Sequence, residues 1–197
     1  MDAFEGLVGN LEYPMFIVTA RAADGEPLGC LVGFTTQASI DPPRFLACLS
    51  HRNRTFRRGR DATMLGVHAV PADAGDLAEL FGGATGDEID KFARTAWHEG
   101  PEGVPILDRC ENWFAGRVVR RSDAGDHDAF LLEPVEGSSG DGGEFELELR
   151  GCAVHACERL ARELAVPPRL LDNWLWNRGR QPPYSERPAH IARTVYY

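Results

Sequence analysis

Two clusters of hydrogen-bond donors lie close together in the first third of the chain. Thr35-Thr36-Gln37-Ala38-Ser39 leaves an apolar run, Gly29–Phe34, and Ser50-His51-Arg52-Asn53-Arg54-Thr55 leaves the next, Arg44–Leu49. Hydroxyls, a carboxamide and backbone N–H groups at the exit of a strand can meet a planar ring with polar edges, or a phosphate. The second cluster adds two guanidinium groups, whose forked donors match phosphate oxygens in a way that a random charged face does not. Taken alone, the first run reads more readily as a polar turn, because Ser and Thr readily bond their own backbone.

The elements that must position these residues are mostly strands. Pro14–Ala20 is a short β-rich run, the turn-prone Ala23-Asp24-Gly25-Glu26-Pro27 follows, and Gly29–Phe34 makes a second strand. Asp41-Pro42-Pro43 interrupts the chain before a third strand at Arg44–Leu49. Further strands are expected at Met64–Val70, Asn112–Arg121 and His127–Val135. Ala72–Phe81 carries apolar residues at helical spacing with acids early, so it is expected to be an amphipathic helix, and a second short helix is expected around Glu88–Trp97 after Gly82-Gly83. The sum is a mainly β fold with helical inserts, of barrel type. Residues 137–143, Gly-Ser-Ser-Gly-Asp-Gly-Gly, have the composition of a linker, which divides the chain into a domain over residues 1–136 and a helical C-terminal extension over 144–197.

Composition narrows the function classes. The 197 residues are 43% hydrophobic and 26% charged, near globular averages. A net charge of −9 argues against non-specific binding to nucleic acid, which needs a clustered basic surface. The opening Met-Asp-Ala-Phe-Glu lacks the basic and apolar regions of a secretory signal, and no run approaches a membrane span, so a cytoplasmic protein that does not bind membranes is expected. The five cysteines are scattered and odd in number, which fits reduced thiols. Cys152, His155 and Cys157 have no second ligand pair nearby and read as ordinary packing, with no metal site.

The strand pair with Gly29-Cys30, the run Thr35-Thr36-Gln37-Ala38-Ser39-Ile40-Asp41-Pro42-Pro43, the apolar strand ending in a polar loop, and the later Gly125-Asp126-His127 together resemble the flavin reductase domain, an FMN-binding split β-barrel, over about residues 9–135. The resemblance implies that Thr35, Thr36, Gln37 and Ser39 contact the isoalloxazine ring and ribityl chain. It implies that Ser50, Arg52 and Thr55, with Arg54, bind the phosphate. Asp90-Lys91-Phe92 matches an element found near the flavin in that family, which makes Lys91 and Phe92 candidates at the ring edge; on residue type alone Lys91 reads as a solvated helix residue and Phe92 as core. His127 has three readings: a catalytic group, a nicotinamide contact, or a satisfied structural residue. The implied activity is NAD(P)H-dependent reduction of FMN, or of FAD, with NADH or NADPH as donor, in a homodimer with the flavin near the subunit interface and a monooxygenase as a partner that receives reduced flavin. The cofactor carries such chemistry and needs no catalytic triad from the protein.

The family pattern continues with a glycine five residues beyond the His, where this chain has Leu132. That departure motivates an alternative, a flavin- or haem-binding split barrel without turnover. The segment from Glu144 on, with Leu170-Leu171-Asp172-Asn173-Trp174-Leu175-Trp176 and the terminal Tyr196-Tyr197, is similar to the C-terminal end of the queuosine-nucleotide N-glycosylase family. The catalytic acids of that family are absent here, so a glycosylase fragment is the least supported alternative, and packing of a helical appendage is the plainer one.

Overall fold

Short apolar runs broken by turn residues build a strand-rich chain, seen here in a computed structural model that describes residues 3–8, 11 and 13–140. A six-residue helix, α1 (Ala3–Val8), precedes β1 (Phe16–Arg21), β2 (Pro27–Val32), β3 (Thr35–Ser39), β4 (Arg44–Ser50), α2 (Arg54–Gly59) and β5 (Met64–Ala69). Then come α3 (Gly75–Gly83), β6 (Trp97–Glu99), β7 (Pro105–Leu107), β8 (Trp113–Asp123) and β9 (His127–Ser138). Seven strands make one antiparallel sheet in the order β2-β1-β5-β8-β9-β4-β3, and β6 pairs with β7 separately.

Strands far apart in that order share one core. Val18 and Ala20 of β1 and Leu28 and Cys30 of β2 pack with Leu49 of β4 and Phe130 of β9. Only a sheet curled on itself can bring β2 against β4, which gives the open, split barrel. The alternation of β1 sends Ile17 to the opposite face, where Leu77, Ala78 and Phe81 of α3 cover it together with Phe92 and Leu107. His68 of β5 is fully buried on that side. Its Nδ1 bonds the Ile17 carbonyl oxygen at 3.0 Å and its Nε2 accepts from the Leu107 N–H at 3.2 Å, so Nδ1 carries the proton and the ring is neutral.

Several elements differ from the sequence expectation. Thr35–Ser39 is a strand at one edge of the sheet, paired with β4. Its side chains are half-buried or exposed, so the hydrophobic alternation that marks a strand is missing and its polar residues read as a turn. The helix expected over Ala72–Phe81 starts at Gly75 and runs through Gly83, so the glycine pair closes it instead of following it. No α-helix forms around Glu88–Trp97: a 3-10 turn at Phe92–Arg94 is followed by β6. Lys91 and Phe92 are both buried there, held to Phe81 by a hydrogen bond and an edge-to-face ring contact instead of by a helical turn.

Strand β9 also extends into the residues expected as a linker. Gly137 pairs with Phe114 and Ser138 with Trp113. A Cβ at position 137 would lie 2.7 Å from the Trp113 carbonyl oxygen, so this glycine answers to close strand approach. Residues 141–143 of the expected linker, Cys152, His155 and Cys157, and the expected 144–197 extension lie outside the described residues. No helix of the described residues is long and apolar enough to cross a membrane.

Candidate functional site

The chain changes direction between Ser50, the last residue of β4, and Arg54, the first of α2. Donors crowded into that junction face one side. Together with Pro27–Leu31 of β2 and the segment 81–92, the junction encloses a cleft of about 390 Å³, within the range of roughly 300–1,000 Å³ common for small-molecule sites. Ser50, Arg52, Arg54, Thr55, Lys91 and Phe92 all line it.

Their surroundings differ sharply. Arg52 is exposed and forms no ion pair among the described residues, so its fork is available to an anion. Arg54 is engaged at all three nitrogens: Nη1 and Nη2 donate to the two carboxylate oxygens of Glu26 at 2.7 and 2.9 Å, and Nε lies 3.1 Å from Asp87 Oδ1. The Glu26 hydrogen bonds raise its pKa further above the usual arginine value. Lys91 is 6% exposed. Its Nζ donates to the carbonyl oxygens of Phe81 (3.0 Å) and Gly29 (3.4 Å) and sits 5.5 Å from the Phe81 ring centre. Burial pushes its pKa down to about 8, against a smaller opposing effect of Cys30. Thr55 is buried beside Cys30, whose thiol pKa is raised by burial.

Thr35, Thr36, Gln37 and Ser39 do not line the cleft. They lie along β3, where Thr35 pairs with Ala47, three residues or about 10 Å along β4 from Ser50. The Thr35 hydroxyl is buried without a hydrogen-bond partner, which leaves it available to a ligand or a second chain. His127 also lies outside the cleft lining, yet it pairs with Ser50 across β4 and β9, and directly opposed side chains share a face. Its Nδ1 is 2.6 Å from Asp126 Oδ1 and its ring is 5.2 Å from that of Phe34. Hydrogen bonding to His127 lowers the Asp126 pKa. Ser50 is thus the point where the cleft and the β3–β4–β9 face meet.

Glu26, Phe81 and Asp87 line the cleft and were not legible as site residues. Glu26 and Asp87 meet Arg54 across 28 and 33 positions of sequence, and no local spacing signals such a contact. Leu132 is fully buried in the barrel core, and Gly116 on β8 makes room for it: a Cβ there would lie 2.9 Å from Leu132 Cβ. Leu132 therefore packs inside the barrel and does not line the cleft.

The donor set fits a flavin mononucleotide: a free guanidinium and hydroxyls for a phosphate at one end, and an aromatic and ammonium-lined wall for a ring. Comparison with known proteins agrees. Residues 8–156 match the flavin reductase like domain, a span that reaches beyond the boundary expected at 137–143. The chain is 34% identical over 122 residues to a flavin reductase (NADPH) of Lentzea aerocolonigenes, covering 61% of this chain and 69% of that protein. It is 30% identical over 163 residues to a Rhizobium meliloti (strain 1021) protein whose name includes flavin reductase; that match covers 79% of this chain and spans half the length of the relative. Among solved structures, a flavin reductase domain protein from Arthrobacter sp. FB24 superposes with a TM-score of 0.64 at 26% identity, over 71% of this chain and 85% of that one.

Proposed function

Because the chain belongs to the flavin reductase like domain family, we propose that it is an NAD(P)H:flavin oxidoreductase that holds FMN, or the corresponding part of FAD, in the cleft between β2, the β4–α2 junction and segment 81–92. The observation that carries this reading is the convergence of Ser50, Arg52, Thr55, Lys91 and Phe92 on one cleft from segments separate in sequence. When bound, the flavin supplies the ring that accepts a hydride from the nicotinamide. Arg52, Ser50 and Thr55 would hold the phosphate, Phe92 and Phe81 would wall off water, and the Lys91 ammonium would supply positive charge to the site.

Thr36, opposite Leu46 on the face of β4 that carries Ser50, and the ring of His127, opposite Ser50, border the same region, and with the rest of β3 we assign them to the outer edge of the flavin and to the incoming nicotinamide. Phe34 and Ile40, 52% and 76% exposed at either end of β3, support a homodimer formed along that edge. A monooxygenase that consumes reduced flavin is the partner this chemistry suits. The reading without turnover rested on Leu132, which is buried in the barrel core and outside the cleft lining.

The test is a spectrum. Purified protein mixed with FMN is expected to show an oxidised-flavin band near ~450 nm that bleaches anaerobically on addition of NADH or NADPH. A protein that neither binds FMN nor oxidises either nucleotide overturns the proposal.

A further inference from the structure

Residues 84–91 leave the end of α3 and return beside it. The rings of Phe81 and Phe92, on either side of this segment, meet edge to face at 5.5 Å, and Lys91 Nζ ties its end to the Phe81 carbonyl oxygen at 3.0 Å. A loop closed at its base in this way moves as a unit about that base. Its tip is itself a turn: Thr85 Oγ1 accepts from the Asp87 N–H at 3.2 Å, and the Glu88 and Ile89 N–H groups donate to the Thr85 carbonyl oxygen, each at 3.2 Å.

The tip is fastened across the cleft by one carboxylate. Asp87 Oδ1 meets Arg54 Nε at 3.1 Å, and its Oδ2 accepts from Arg57 Nη2. These are the ion pairs among the described residues that join segment 84–91 to α2. Glu26 grips the far side of the Arg54 guanidinium, so Arg54 is held rigid between the β1–β2 turn and the loop. The Gly86 backbone lies on the Arg54 stem, where a Cβ would stand 3.2 Å from Cδ. With its nitrogens committed, Arg54 serves this fastening, and the phosphate falls to Arg52.

We propose that residues 84–91 are a strap closed over the flavin nucleotide and clasped by Asp87 to Arg54 and Arg57, so that unclasping sets the rate at which flavin leaves. The inference rests on the flavin reading of the cleft. Asp87 is half exposed, and ion pairs in such positions are individually weak, so the clasp holds the strap without locking it. That suits a protein whose flavin is delivered elsewhere: the bound nucleotide is retained long enough to be reduced and then released through a loop that opens at low cost. Arg54, Arg57 and Asp87 are positioning residues in this scheme, acting on the flavin through the strap.

The experiment compares FMN release from the full chain, followed by recovery of flavin fluorescence on rapid dilution, in the native protein, Asp87→Asn and Asp87→Glu. Asp87→Asn is expected to release FMN about fivefold faster, with Asp87→Glu, which keeps the carboxylate, close to the native rate. Amide hydrogen exchange is expected to quicken at Gly86–Glu88 in Asp87→Asn while β5 stays protected. Release from Asp87→Asn at the native rate overturns the strap and leaves the flavin site intact. So does exchange that quickens equally in β5, since that reports a general loosening. Native protein that fails to bind FMN overturns the flavin reading itself and this inference with it.

Discussion

Arg52 and Arg54 stand two positions apart on one junction, yet the fold gives them different work. Arg54 spends its donors on Glu26 and Asp87, while Arg52 keeps a free fork at the cleft mouth. A charge-assisted contact to a phosphate contributes about 2 kcal/mol, so Arg52→Ala is expected to weaken FMN binding roughly thirtyfold. Riboflavin, which lacks the phosphate, should bind the variant and the native protein alike in a fluorescence titration; equal weakening of both would place Arg52 elsewhere on the flavin. Both arginines were legible as phosphate candidates from residue type. Their difference was not, because it depends on carboxylates brought in by the β1–β2 turn and by the segment after α3. Lys91 shows the same limit in another form. Its partners are backbone carbonyls, which carry no residue identity, so residue type alone places it in solvent.

At the scale of elements, β8 and β9 show how one packing volume is shared between neighbours. Leu132 fills space that Gly116 vacates, and a methyl at 116 would meet Leu132 Cβ at 2.9 Å and the Phe114 ring at 3.1 Å. Gly116→Ala is therefore expected to cost about 1–3 kcal/mol by overpacking, and Leu132→Ala about 2–5 kcal/mol through the cavity it leaves. Leu132→Ala keeps the Cβ that such a methyl meets, whereas Leu132→Gly removes it, so in a Leu132→Gly background Gly116→Ala should cost less than it does alone by about 1 kcal/mol or more in denaturant unfolding; an equal cost in both backgrounds would show that the two sites do not share space. The strands most legible in the sequence, such as β1, β4 and β5, are those with apolar residues facing the core. The least legible was β3, which is an edge with polar side chains. The failed helix at Glu88–Trp97 has the related cause that its apolar residues serve a loop base and a two-stranded sheet instead of one helical face.

For the whole molecule, the barrel character and the helical inserts followed from strand spacing, but the joining of the two sheets did not. That joint runs through His68, which touches β1 with one ring nitrogen and β7 with the other. Burial lowers its pKa from 6.5 to about 4, so between these values the unfolded chain binds a proton that the folded chain refuses. The His68 contribution is complete above about pH 6.5 and is lost progressively as the pH falls toward 4, a change on the order of 3 kcal/mol. Thermal midpoints measured from pH 7 to 4 should fall steeply in the native protein and more gently in His68→Gln; parallel curves would assign the acid sensitivity to other groups. The cleft has a wider consequence, because its walls come from residues 26–31, 50–55 and 81–92, three stretches that adjoin only in the native state. A nucleotide seated there has no counterpart site on the unfolded chain, so by mass action a free flavin concentration 100 times its dissociation constant adds about 2.7 kcal/mol to stability. The heat tolerance of this protein, and its lifetime among proteases, would then track the flavin supply of the cell in which it works.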